Sequence, residues 1–599
     1  MKIVCLVKQI PRPDAIEFDP ETKSLKREGV PLLLNELDRY AVSEAARLRD
    51  THGGEVVAMT MGPPQAEEAL RLTLALGADR CIHLSDRLFA LADTLGTSRT
   101  LAMAISKEGA DLVICGRKTL DSETWQVPPE VAAFLGWPQL TSLVGLDVVD
   151  GRVRATRETD DGDVVYELEL PAVCSLARPA APAPEVAPLA SADGRIALWA
   201  ASDLVDDVQP NDKRFGQPGS PTRVLAVRDA RPERAGEVVT AAEAAARIRT
   251  RLAEHGNPSA WEKPDRLGEK PGRSYDCWSV VELVEGRPSR VSLELLGKGR
   301  ELAGKLGGKN VALVAGHSVA AAAETAARYG AEAVYTLDDA ELAEYHPEVW
   351  AAALTQVLQR ERPHVLLIPA TAQGRDFGPR AAGALELGMT GDCVDLAIDK
   401  AGRLIQYKPA YGGNIVSVIM GATTPQLATV RPRMFEPVEP RRDAAAELHH
   451  FRLEELPTPR TRLVEQPSGD GTRAYELDEA DVVVGIGAAV GGEEAVPEIE
   501  RLAAPLGAAV GGDRAACTAG LVPSSRQIGL LGRPVAPRLY LAIGAAGDFE
   551  HLTGIVKAGV IVALDAATQS PMVAASDFAI LGDWRETLPA LANALARES

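Results

Sequence analysis

GGDRAACTAGLVPSSRQIGLLGRPVAPRLYLAIGAAGDFEHLTG, running from Gly511 to Gly554, decides how the rest of the chain is read. Its second half carries an apolar run, Arg538 to Ile543, that reads as a buried strand. Gly544, Ala545, Ala546 and Gly547 then make a turn of small residues, and after Asp548 the apolar positions Phe549, Leu552 and Ile555 take up helical spacing. A strand that turns through small residues into a helix lets backbone N–H groups approach a phosphate, and the helix N-terminus adds roughly half a positive charge. Upstream, Arg514 and Gln527 fall in loops able to fold over the same crevice. The stretch reads as a dinucleotide cradle. The turn alone is equally the signature of structural glycines, and Asp548 beside it would repel a pyrophosphate, so its surroundings must support the reading.

At 599 residues the chain has room for several domains of about 100–200 residues each. Hydrophobic content of 46% with only 4% aromatics implies cores of Ala, Val and Leu, as in layered α/β proteins. A net charge of −20 argues against nucleic acid or an anionic membrane as a general partner. Seven cysteines stand scattered with no CxxC, which points to a reducing, cytoplasmic setting without a zinc or iron–sulfur site. The apolar start, MKIVCLV, is too short for a signal peptide, and no run reaches the ~18 apolar residues of a membrane helix. Adjacent His449 and His450 read as a solvated linker pair rather than a metal site.

The upstream chain repeats itself. GGEVVAMTMG (Gly53–Gly62), a helix over Ala66–Leu76 and GADRCIHL (Gly77–Leu84) return as GGKNVALVAG (Gly307–Gly316), an Ala-rich helix and GAEAVYTL (Gly330–Leu337). The offset, about 254 residues, exceeds solenoid periods and marks a duplicated domain. The correspondence continues through GADLVICGR and RPHVLLIPA, each opening into a polar loop and a helix ending in Leu-Gly, and closes on Arg-Pro after PAVCSLARP and PQLATVRP. Strands alternating with helices imply parallel sheets that bind ligands at their carboxyl ends. The fold class expected is therefore α/β, with two related parallel-sheet domains ahead of a Rossmann-like third. Composition divides the chain into 1–255 with an isolated helix over Glu237–His255, a polar Pro/Gly-rich tether at 256–276, 277–447, a joint at 448–472, and 473–599.

These residues resemble the electron transfer flavoprotein family, both subunits in one chain. Residues 1 to about 255 are similar to the β subunit through VKQIPRP, NELDRYAVSEAARL, GADR and DSETWQV followed by FLGWPQLT. Residues from about 278 onward are similar to the α subunit through SLELLGKGRELA, GRDFGPRAAGALELGMTGDC, KPAYGGNIVSVI, QLATVRP and the opening stretch. The resemblance implies FAD held in the third domain, carrying one electron at a time from a dehydrogenase or NADH to a quinone reductase or ferredoxin-type acceptor. It places Arg514 over the flavin ring, where a fixed guanidinium stabilises the reduced, negatively charged form. It also implies His551 near a flavin carbonyl, Asp565 near the adenosine, Asp577 on the ADP portion, and Glu158 reaching the flavin arginine from the β-like half.

The chain departs from the family's Q-x-G-Q-T-G. Gln527, Ile528, Gly529, Leu530, Leu531 and Gly532 stand there, so Leu531 replaces the threonine that meets flavin N5, and Ala546 replaces a serine of the phosphate turn. One lost hydrogen bond is worth on the order of 1 kcal/mol, so FAD with altered redox poise is the expectation. In the β-like half, Asp121, Ser122, Glu123, Thr124, Gln126 and Val127, with Leu6, Asn35, Asp38 and Met61 bordering them, match the loop that holds AMP or a second FAD. DSETWQVPP lies nearer the second-FAD pattern, although Trp125 and Pro128 fit neither. Three readings stay open: a carrier that is not itself a substrate-converting enzyme, an NADH-dependent electron-bifurcating flavoprotein with two FADs, and a nucleotide-binding regulatory or assembly protein that has lost flavin.

Overall fold

The computed structural model describes residues 1–16, 29–160, 162–177, 184–230, 234–254, 275–465, 477, 479–565 and 568–596. Most of the expected tether at 256–276, part of the joint at 448–472, and 178–183 of the Pro/Ala-rich run lie outside the described residues.

The duplication holds strand for strand. The first sheet runs Ile196–Trp199, Arg80–Leu84, Glu55–Met61, Lys2–Leu6, Leu112–Gly116, Ala172–Leu176, Gln139–Val149. The second runs Glu447–His450, Ala333–Asp338, Asn310–Gly316, Cys277–Val281, Val365–Pro369, Gln426–Val430, Met389–Cys393. Neighbours pair in parallel throughout both series, with Ile3 opposite Val56 and Leu112, and Cys277 opposite Asn310 and Val365. Helices cover both faces, which is why the central strands are continuous apolar runs instead of alternating ones.

The halves trade strands. The first sheet extends into the hairpin Arg152–Thr159 and Gly162–Glu169, the second domain carries a separate antiparallel sheet of Asp395–Ile398, Leu404–Ala410 and Ile415–Gly421, and each is completed by the other half. Thr461–Glu465 adds antiparallel to Gly162–Glu169 of the first domain, and Thr222–Asp229 adds antiparallel to Ile415–Gly421 of the second. The expected joint at 448–472 therefore contributes a strand to each sheet. His449 and His450 are not a linker pair: they lie on the edge strand of the second sheet, where His449 stacks on Tyr335 and His450 Nδ1 meets the Thr336 hydroxyl at 2.9 Å.

The third sheet, also parallel, runs Glu237–Val238, Phe578–Leu581, Val560–Asp565, Leu539–Ile543, Val482–Ile486, Ala509–Gly512. Its edge strand comes from the β-like half, inside the stretch expected to be an isolated helix. The helix starts only at Ala241, where Thr240 and Glu243 form a reciprocal capping box. Nor is it isolated: Ala244, Ala245 and Ile248 are fully buried in the third-domain core beside Leu588 and Leu591.

Candidate functional site

In the third sheet, Val482–Ile486 and Leu539–Ile543 lie side by side, yet the chain leaves the first towards Ala509–Gly512 and the second towards Val560–Asp565. Connections that part in this way open a crevice at the carboxyl ends of the strands. One wall is the turn Gly544–Asp548. Gly547 has φ +71°, and a Cβ there would lie 2.3 Å from the Met572 nitrogen, so only glycine fits. Among the described residues, the N–H groups of Ala545, Ala546 and Gly547 donate to nothing. Three consecutive free donors ahead of a helix make an anion-binding concavity. The Asp548 carboxylate is turned away from them onto the His551 N–H at 2.8 Å, capping the helix Phe549–Ile555.

Arg514 opens the short helix after Ala509–Gly512, at the carboxyl end of that strand, with Asp513 capping it through the Ala516 N–H at 2.8 Å. Its Nη1 lies 3.1 Å from Glu550 and 3.2 Å from Glu36 of the first domain. Burial alone would lower the guanidinium's proton affinity, but Glu36 and Glu550 hold it above its usual value. Glu158, expected to reach this arginine, pairs with Arg117 at 2.9 Å within its own domain. Glu36 takes the place expected for it, and no local motif announces that.

His551 is almost fully buried. Its Nε2 lies 2.7 Å from the Tyr540 hydroxyl, and its Nδ1 has no partner among the described residues. Burial pushes its pKa down to about 4, so the ring is neutral at physiological pH. Gln527–Gly532 packs along the crevice, with the Ile528 N–H donating to Gly512 at 2.8 Å and Leu530 N–H to Glu550 at 2.8 Å. Leu530 and Leu531 are buried with Ile10, Leu37, Tyr40 and Leu120 of the first domain, so the residues that break the family motif join two domains.

Asp577 is not brought to this crevice. It precedes Phe578–Leu581 at the amino end of the sheet, where Arg234 and Arg251 of the β-like half pair with its two oxygens. That corrects the expected ADP contact: the carboxylate closes a seam between halves. Asp565 ends its strand on the ligand-binding side, and its side chain lies outside the described residues.

The first domain has its own such crevice, between the loops after Lys2–Leu6 and Leu112–Gly116, where the connections again part. Asp38 accepts from the Lys8 and Gly116 N–H groups, and burial pushes its pKa up to about 7. Asn35 holds Lys118 and Leu120 through their backbones, and Lys8 bridges to Asp121 at 2.7 Å. Leu6 is buried in the core behind, with Met61 packed against it. The Ser122 hydroxyl meets Thr119 at 3.0 Å. Val127 begins the helix Val127–Leu135. The rest of the loop faces the second domain: Gln126 donates to Met389 C=O at 3.0 Å, and Glu123 meets Lys118, Arg431 and the Gly412 N–H. Burial would raise Glu123, but Lys118, Arg431 and Lys408 hold its carboxyl below the usual range. Trp125 packs against the guanidinium groups of Arg117 and Arg375, 4.7 and 4.4 Å from its ring centroid, and lines an open cleft where all three domains meet. Glu123 and Gln126, expected on a nucleotide with Thr124, also form an interdomain seam, through Arg431 and Met389 far along the chain. Thr124 sits in the same loop, its carbonyl packed against Gly391.

Comparison with known proteins gives the same division. The electron transfer flavoprotein domain matches residues 22–204 and 277–456, and the electron transfer flavoprotein FAD-binding domain matches 476–556. The electron transfer flavoprotein subunit alpha of Thermoanaerobacterium thermosaccharolyticum is 34% identical over 319 residues, 53% of this chain and 96% of that protein. Subunit beta of the same organism is 38% identical over 244 residues, 40% of this chain and 92% of that protein. Protein FixB of Bradyrhizobium diazoefficiens is 37% identical over 330 residues, 54% of this chain and 89% of that protein.

Proposed function

The chain belongs to the electron transfer flavoprotein family, a β-like half fused ahead of an α-like half, and we propose that its FAD sits in the crevice of the third domain. The observation that carries the placement is the run of free N–H groups at Ala545, Ala546 and Gly547, a cradle for a pyrophosphate. The unpartnered, buried Nδ1 of His551 and the guanidinium of Arg514 border the same crevice and fit an electron-rich ring edge. When bound, FAD supplies the redox chemistry, accepting and releasing electrons singly. The protein's own groups orient it, keep His551 neutral and set the charge around the ring. The donor we propose is a dehydrogenase or NADH, and the acceptor a quinone reductase or another redox protein. No helix among the described residues is long and apolar enough to cross a membrane.

For the first domain we favour AMP over a second FAD. The Lys8–Asp121 bridge spans the crevice and the Leu530–Leu531 pair packs on Ile10, Leu37 and Leu120 around it, which suits the smaller occupant. Releasing and counting the cofactors of the purified protein tests both statements. One FAD and one AMP per chain is the expected result. Two FADs with reduction by NADH would replace the carrier reading by the bifurcating one, and a colourless protein would sink both.

A further inference from the structure

We infer that the cleft where the three domains meet is a binding site for a small oxyanion with at least two negative charges, a phosphate or a dicarboxylate, which ties the domains together. The site is separate from the crevice proposed for FAD. Residues 532–536 lead into the amino end of Leu539–Ile543, and Val556 and Lys557 lead into the amino end of Val560–Asp565. The turn at 544–547 leaves the carboxyl end.

In a chain of net charge −20, six cationic side chains line this cleft against two carboxylates, Glu158 and Asp160. Every domain contributes: Arg117 comes from the first, Arg375, Arg431 and Arg433 from the second, Arg533 and Lys557 from the third. There are too few carboxylates to match them. Glu158 is taken by Arg117 at 2.9 Å. Asp392, outside the lining, is shared by Arg375 at 2.8 Å and Arg431 at 3.1 Å. Asp160 stands 3.8 Å from Arg533 and accepts from the Ala372 N–H at 2.8 Å with its other oxygen. Lys557, exposed at the rim, pairs with no carboxylate among the described residues.

Donors are left over as well. Nε1 of Trp125 and Nε of Arg433 are buried with no acceptor among the described residues. A buried donor is costly to leave bare, so an acceptor is expected in the cleft that both residues line. Trp125 and Arg433 also hold left-handed backbone, at φ +63° and +66°, a conformation rare outside glycine that collects at binding sites. Asp392 does the same at +59°, on a bulge in the pairing of Met389–Cys393, and its carboxylate is turned onto the two arginines. Guanidinium forks fixed in this way suit the paired oxygens of a phosphate or carboxylate. An oxyanion there is met from all three domains at once, so its binding stabilises their assembly by mass action.

The test uses the full-length chain with its own nucleotides bound. It is titrated with inorganic phosphate, and separately with succinate, at constant ionic strength, by calorimetry and thermal unfolding. Saturable binding with a rise in Tm is expected for at least one of them, and the one that binds identifies the oxyanion. K557Q removes a charge with no carboxylate partner among the described residues, and W125F keeps a ring while removing its N–H. Each should raise the dissociation constant several-fold, with the Tm of unliganded K557Q at the wild-type value, and weakening in either variant supports the inference. Saturable binding of neither anion overturns it. So does binding that neither variant weakens, since the anion then sits elsewhere, the turn at 544–547 included. If the chain proves to hold no FAD, the placement proposed above fails separately, and the same titrations still read the cleft because both substitutions lie in it.

Discussion

The Tyr540 hydroxyl stands 2.7 Å from Nε2 of His551, both side chains being buried inside the third domain. A histidine in that place folds neutral. Its pKa falls from 6.5 to about 4, chiefly through burial, so the unfolded chain binds a proton more readily than the folded one. The stability this group contributes is present above about pH 6.5 and is lost as pH falls towards 4, on the order of 3 kcal/mol in all. Thermal unfolding between pH 7 and 4 should show the third domain weakening over that window. In H551Q the slope should flatten, and an unaltered slope would mean the histidine is not the group responsible.

The turn at 544–547 yields paired variants. G547A forces a Cβ to within 2.3 Å of the Met572 nitrogen and disfavours the φ of +71°. We expect FAD to be lost on purification. A546S places a hydroxyl on an exposed residue of the same turn, and one added hydrogen bond of about 1 kcal/mol should tighten FAD several-fold. Dissociation constants from flavin fluorescence check both directions.

Asp577 is expected to be structural. It is buried between Arg234 and Arg251, with its carboxylate also accepting from the Ile561 N–H at 2.8 Å. Removing the carboxylate in D577A leaves a buried arginine uncompensated, at a cost of about 3–5 kcal/mol. Chemical denaturation should report that loss while the FAD-to-protein ratio at low temperature stays near the wild-type value. A selective loss of FAD without loss of stability would return Asp577 to the cofactor.

Leu530 and Leu531 are expected to act in docking. Returning the family residues as L530Q and L531T exposes or removes apolar surface worth about 1.5–3 kcal/mol for each buried leucine. Small-angle scattering should show a larger radius of gyration than the wild type. An unchanged profile would show that the leucines do not hold the domains together.

Much of this arrangement is legible in the sequence. Runs such as KIVCL and NVALVAG are apolar without alternation because helices bury both faces, and that pattern survives duplication. The turn at Gly544–Gly547 is legible because glycine there answers a local steric demand. Thr240 and Glu243 also carry their signal, a capping box that starts the helix after Glu237–Val238, but the helix-forming alanines within and after it mask the boundary. Contacts between halves are another matter. Glu36 and Arg514, or Asp577 and Arg251, are hundreds of residues apart, and each is an ordinary surface charge until the domains meet. The family resemblance pairs Glu158 with Arg514, and nothing local to Glu158 shows that it pairs with Arg117.

The traded strands have a consequence for how such a chain is made. Thr222–Asp229 and Thr461–Glu465 each finish a sheet belonging to the opposite half, so either half synthesised alone would display a bare sheet margin prone to sticking. Joining the two in one polypeptide delivers them in equal number and at high local concentration, which spares the cell any search for the missing counterpart.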